Sequence, residues 1–165
     1  MFRHVQLPAY VRGSLLLHSM PGLAEPLESA WEHVRAENVQ AIVNLARPDE
    51  IHEKSPAYAQ AIKDGHVPCS VIAFPVENRG SPEGREAFWQ LAFGLARRIE
   101  AGETILIHCA AGRGRTGTLA TCVLVALGET QAGAAKAVRT AGSTPETSGQ
   151  TGIVAWCAQR RQQQG

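Results

Sequence analysis

The chain has 165 residues, 44% hydrophobic and 19% charged, a composition that suits one globular domain and excludes a disordered tail-like protein. Its 16 basic and 15 acidic residues leave a net charge of +1, which excludes a generally basic nucleic-acid binder yet permits a local basic pocket. Four cysteines (Cys69, Cys109, Cys122, Cys157) are too few for a disulfide scaffold and lack the paired spacing of a zinc site.

Ser14–His18 reads as a first strand. From Glu25 to Glu37, Leu27, Ala30, Trp31 and Val34 recur at helical spacing. Val39–Ala46 and Ser70–Val76 read as strands, the former with a nearly continuous apolar run from Ala41 to Leu45, as expected of a strand buried on both faces. Ser81–Ala101 reads as a helix with Phe88, Leu91, Ala92, Leu95 and Ile99 on one face, and with Ser81-Pro82-Glu83 as cap, first-turn proline and dipole-favoured acid. Thr104–Cys109 is another buried strand, and helices follow at Arg115–Leu127, Thr130–Ala141 and Gly149–Arg161. This alternation implies an α/β domain over residues 1–165, a central mostly parallel sheet of four to five strands flanked by helices. No apolar run approaches the ~18 residues of a membrane span, and Leu15–Leu17 is too short for a signal peptide. A soluble protein of the reducing cytoplasm is expected. Only Lys54, Lys63 and Lys136 are lysines among the 16 cations, a skew that points to a GC-rich bacterial genome.

The chemistry is densest in His108-Cys109-Ala110-Ala111-Gly112-Arg113-Gly114-Arg115-Thr116-Gly117, between a strand and a helix start. Small residues let the backbone approach a ligand, and successive N–H groups with the helix N-terminus form an anion nest from Ala110 to Arg115. Cys109 sits at its base, where the positive field favours the nucleophilic thiolate. The planar fork of Arg115 suits two phosphate oxygens at once. The spacing Gly112-x-Gly114-x-x-Gly117 also matches a dinucleotide fingerprint, but too little chain follows Glu129 for a doubly wound sheet, and that reading gives Cys109 and Arg115 no task.

His-Cys, five residues, then Arg-Thr resembles the signature of the cysteine-based protein tyrosine phosphatases, and Cys109 to Gly117 looks most like their dual-specificity and phosphatase-and-tensin branch. The resemblance implies hydrolysis of phosphate monoesters through a phosphocysteine, with Cys109 as nucleophile and Arg115 with the loop amides on the transferring group. It implies that Thr116 donates its hydroxyl to the Cys109 sulfur and that His108 packs beneath the loop, bonded to backbone. The family's mobile acid loop is matched by Phe74-Pro75-Val76-Glu77-Asn78-Arg79-Gly80-Ser81-Pro82. That register puts Asn78 where an aspartic acid should stand, and an amide cannot protonate an alkoxide. Either Glu77 supplies the proton, or turnover depends on good leaving groups. Gln150 matches the glutamine that orients the hydrolytic water. Cys69, nine residues before Asn78 of the acid loop, is a candidate redox partner for Cys109. The resemblance further implies no metal or organic cofactor and a monomer acting on a phosphorylated protein, peptide or phosphoinositide, with Arg113 and Arg79 as extra cations. A phosphate-binding pseudophosphatase and a sulfur carrier are the competing readings. The first stays open on Asn78, whereas the second leaves the Arg115-Thr116 pair unused.

Overall fold

Three apolar strand cores, Leu15–Leu17, Ala41–Val43 and Ile105–Ile107, lie side by side and carry almost no exposed surface. The computed structural model describes residues 2–164 and orders its elements as β1 (Arg3–His4), β2 (Ser14–His18), α1 (Leu27–Ala36), β3 (Ala41–Asn44), α2 (Pro48–Lys54), α3 (Pro56–Asp64), β4 (Ser70–Ala73), α4 (Arg85–Glu100), β5 (Thr104–His108), α5 (Gly114–Ala126), α6 (Gln131–Thr140) and α7 (Ser148–Gln164). The five strands form one sheet in the order β1-β2-β5-β3-β4, parallel except for β1.

Because side chains alternate across a strand, the three central strands β2, β3 and β5 each feed two cores. Leu16, Ile42 and Leu106 face α1, α2 and α3, where Trp31, Ile51 and Tyr58 bury against them. Leu15, Leu17, Val43, Ile105 and Ile107 face α4, α5 and α7 on the other side. All 13 residues of α5 are buried, so its apolarity runs around the helix and not along one stripe. Its hydroxyls are satisfied locally: Thr118 Oγ1 donates to the Gly114 carbonyl and Thr121 Oγ1 to the Gly117 carbonyl, each at 2.7 Å.

The sheet has the expected mostly parallel layout, with three elements beyond those read from the sequence and one correction. Helices α2 and α3 occupy residues that gave no periodic signal, because each is short and buries little: Ile51 in one, Tyr58 and Ala61 in the other. A proline starts each of them, fixing φ where the missing N–H costs nothing. Strand β1 has only two residues and no apolar run. The helix expected from Ser81 begins at Arg85 with Gly84 as its N-cap, so Ser81 does not cap it. Residues 77–82 belong instead to a loop closed by a turn in which the Gly80 amide donates to the Glu77 carbonyl at 2.7 Å.

The strand register aligns His18, His108, Asn44 and Ala73 at the carboxyl edge, which in open parallel sheets is the ligand-binding edge. There α5 passes so close to the 143–145 segment that a Cβ on Gly117 would collide with the backbone of Thr144. Gly117→Ala is therefore expected to lower the unfolding free energy by roughly 1–3 kcal/mol, the range typical of overpacking, as measured by urea denaturation.

Candidate active site

Strand β5 delivers Cys109, 3% exposed, to the floor of a bowl at the carboxyl edge. The loop then reverses through Gly112, whose φ of +77° belongs to the left-handed region, and a Cβ there would also strike the His18 carbonyl. Three carbonyls of this loop, those of Ala110, Gly112 and Arg113, accept from protein donors. Met20 N–H donates to Ala110 at 2.9 Å, Arg3 Nη2 to Gly112 at 2.7 Å, Ser143 Oγ to Gly112 at 2.6 Å, and Thr144 N–H to Arg113 at 3.2 Å. Among the described residues, the amides of Ala110 to Arg113 donate to no protein acceptor. The helix-start amides of Gly114 and Arg115 lie beyond them. Carbonyls tied to protein donors and amides without a protein acceptor together leave N–H groups able to take an oxyanion.

Thr116 Oγ1 donates to the Cys109 sulfur at 3.1 Å. His108, fully buried, bonds through Nδ1 to the Cys109 carbonyl at 2.9 Å and through Nε2 to the Tyr58 hydroxyl at 2.8 Å. A carbonyl only accepts, so Nδ1 carries the proton, and Nε2 of the neutral ring accepts from Tyr58. Burial is the main cause that pushes the His108 pKa down to about 4, against the opposing pull of the Cys109 carbonyl. Tyr58, whose own pKa is raised by burial, stacks edge-on against both His108 and Trp31.

Arg115 is 4% exposed and gripped on two sides. Its Nη1 donates to Glu50 Oε1 and to the Val76 carbonyl, each at 2.7 Å, and its Nη2 to Glu50 Oε2 at 2.9 Å and Asn78 Oδ1 at 3.3 Å. Burial opposes the charge of both Arg115 and Glu50, but their mutual hydrogen bonds prevail: the pKa of Arg115 lies above its ordinary value and that of Glu50 below. Glu50 has no counterpart among the residues singled out from the sequence. It lies in α2, whose start it also braces by accepting from the Arg47 amide at 3.0 Å.

The acid loop reaches the bowl through Asn78. Glu77 is exposed, and its carboxylate has no hydrogen-bond or ion-pair partner among the described residues. It lines a neighbouring groove with Arg47, Pro75 and Pro82. Gln150, 1% exposed, ties this loop to the rest: its Nε2 donates to the Gly80 carbonyl at 3.0 Å while its Oε1 accepts from the Glu146 amide at 2.7 Å. The Arg113 side chain is 56% exposed, with Nε 3.6 Å from Glu146 and Nη1 donating to the Gly142 carbonyl at 3.4 Å. Arg79 stands exposed on the acid loop.

Cys69 is corrected as a redox partner. It precedes Ser70, which pairs with Ala41, itself level with Ile105, so Cys69 lies near the amino edge of the sheet and Cys109 beyond the carboxyl edge. Five strand steps of ~3.3 Å separate their levels, far beyond the ~7 Å limit between the Cα atoms of a disulfide. Burial also pushes the Cys69 thiol up to about 11.

A model of the Swiss Army Knife protein DSP-PTPase phosphatase domain matches residues 14–163 of the chain. The tyrosine phosphatase-like protein 067L of Invertebrate iridescent virus 3 is 32% identical over 101 residues, 58% of this chain and 39% of the viral protein, so the match spans well under half of that relative's length. Among solved structures, kinase associated phosphatase with its catalytic cysteine changed to serine superposes with a TM-score of 0.80 at 16% identity, over 99% of this chain and 94% of that one. PTPMT1 in complex with PI(5)P superposes with a TM-score of 0.70 at 16% identity, over 91% and 93% of the two chains. These superpositions show a shared fold.

Two outcomes follow from the buried groups. Between pH 6.5 and about 4 the unfolded chain protonates His108 while the folded one does not, so stability falls as pH drops through that window. In His108→Gln, the slope of unfolding free energy against pH there should decrease by about one proton, measured by denaturant titration at several pH values. Glu50→Gln leaves the buried Arg115 charge without its counter-ion and should cost roughly 3 kcal/mol or more in the same assay.

Proposed function

The chain belongs to the Swiss Army Knife DSP-PTPase phosphatase domain family, and from that membership and the bowl at Cys109 we propose that it hydrolyses phosphate monoesters through a phosphocysteine. The observation that carries the reading is the Cys109 sulfur, held by Thr116 at 3.1 Å beneath amides that have no protein acceptor. The Cys109 thiolate attacks phosphorus in line, forming an S–P bond as the bond to the leaving oxygen breaks. Amides 110–115 and Arg115 hold the equatorial oxygens. All four Nη bonds of Arg115 are occupied, so oxyanion capture exchanges the Val76 and Asn78 contacts for phosphate oxygens while Glu50 keeps the fork in plane. Water then attacks phosphorus beside Gln150 and gives up its proton to solvent. The S–P bond breaks, and the Thr116 hydroxyl stabilises the departing thiolate.

The contact of Asn78 Oδ1 with Arg115 at 3.3 Å supports reading Asn78 at the acid's place, a reading that leaves the departing oxygen without a carboxylic acid. The enzyme therefore favours aryl esters and other good leaving groups. Phosphotyrosine in a protein or peptide fits that preference, and phosphoserine, phosphothreonine and phosphoinositides are poorer leaving groups. The exposed cations Arg113 and Arg79 at the rim, and the PI(5)P held by the similarly folded PTPMT1, support an anionic substrate. The reading extends to a monomer in the reducing cytoplasm, where a nucleophilic thiol stays unoxidised. A second reading, a phosphate-binding pseudophosphatase, is favoured by the same Asn78.

Turnover of p-nitrophenyl phosphate separates the two, since only an enzyme releases p-nitrophenolate. Cys109→Ser should abolish that turnover, and Arg115→Lys should nearly do so, because an ammonium cannot reproduce a two-pronged grip. Asn78→Asp should raise the rate on an alkyl phosphate by up to the ~10²–10⁴-fold that general acids supply, with a smaller gain on p-nitrophenyl phosphate. Glu77→Gln should change either rate little. A large loss in Glu77→Gln confined to the alkyl ester would instead assign the proton to Glu77.

A further inference from the structure

We propose that Arg3 and Ser143 are positioning residues that lock the Gly112–Arg113 peptide in the orientation the oxyanion cradle requires. The inference rests on the phosphate-binding reading of the loop and adds to it a clamp built from two distant segments. Arg3, from the two-residue strand β1, donates through Nη2 to the Gly112 carbonyl at 2.7 Å and through Nη1 to the Ala141 carbonyl at 2.7 Å and Ser143 Oγ at 2.9 Å. Ser143 is 1% exposed, and its Oγ donates to the same Gly112 carbonyl at 2.6 Å. The guanidinium thus spends three bonds on two carbonyls and a hydroxyl, and among the described residues none on a carboxylate.

That choice of acceptors has a consequence for the loop. In a trans peptide the N–H lies antiparallel to the preceding C=O, so a Gly112 carbonyl held outward turns the Arg113 N–H the opposite way. Gly112, at φ +77°, lacks the Cβ that would otherwise restrict its backbone, so local sterics do not fix the adjoining peptide. A flipped peptide would present a carbonyl oxygen where a phosphate oxygen must sit. Two donors on one carbonyl, one of them charged, make that flip costly. Strand β1 is held to β2 by only two paired residues, and the side chain it delivers reaches a loop 109 positions away.

The test is the affinity of the folded protein for tungstate, a tetrahedral oxyanion, measured by isothermal titration calorimetry well below the unfolding temperature and beside a thermal melt. Arg3→Met and Ser143→Ala should each weaken tungstate binding, Arg3→Met by about tenfold or more, the scale of a lost charge-assisted hydrogen bond. The double variant should depart from the product of the single effects, because both donors share one acceptor. Arg3→Lys keeps the charge but cannot span three acceptors, and it should remain weakened. Ser143→Ala removes one hydroxyl and keeps the test open if Arg3→Met does not fold. Unchanged tungstate affinity in Ser143→Ala and Arg3→Met, with or without a lower melting temperature, overturns the proposal by reducing the clamp to a structural tie. Full affinity in Arg3→Lys overturns it in favour of simple charge. Tungstate binding that responds as expected in a wild-type protein inert towards p-nitrophenyl phosphate would sustain the clamp while refuting hydrolysis.

Discussion

The loop between β5 and α5 is pinned by its carbonyls. Ala110, Gly112 and Arg113 each accept from a donor elsewhere in the chain, and the Cys109 carbonyl accepts from His108. A peptide held by its oxygen presents its N–H on the other side, and amides 110–113 find no acceptor within the described residues. Backbone donors without a protein acceptor are completed by water or by an anion. The rest of the carboxyl edge answers to this arrangement: β1 sends Arg3, the β2–α1 connection sends Met20, and the segment before α7 sends Ser143 and Thr144.

Arg115 poses a second problem, a cation almost wholly out of water. Removing such a charge from water is costly unless paired and hydrogen-bonded with good geometry, and the two-pronged contact with Glu50 supplies both. Helix α2 contributes little to the core, with Ile51 its one buried residue, yet it carries this counter-ion. Its place in the fold is explained by Arg115 more than by packing. The same guanidinium reaches Val76 and Asn78, so the acid loop is docked on a group that phosphate would also claim.

Beneath the loop, His108 transmits position without carrying charge. It sits between Tyr58 from α3 and the Cys109 carbonyl, and burial keeps its ring neutral. A protonated ring would donate from both nitrogens and could not accept from Tyr58. The sulfur is therefore supported by a rigid aromatic stack on one core and by Thr116 of the buried helix on the other.

The amino-acid sequence by itself determined the strands, the long helices and the reactive loop, because these rest on local pattern: apolar runs of strand length, helical stripes such as Phe88 to Ile99, and a dense run of Cys, Gly and Arg. Cys109 and Arg115 were legible for that reason, and Thr116, His108, Gln150 and Asn78 through their resemblance to family motifs. Glu50, Tyr58, Arg3 and Ser143 were not. Each stands in a segment with weak periodicity or in a two-residue strand, and each matters only through a contact 31 to 109 positions away. The assignment of Cys69 as a partner failed for a related reason, since proximity in sequence to the acid loop says nothing about which end of a parallel strand a residue occupies. Only the tertiary structure decides that, because register and crossover set which side chains share an edge, and a hydrogen bond depends on distance in space and not along the chain.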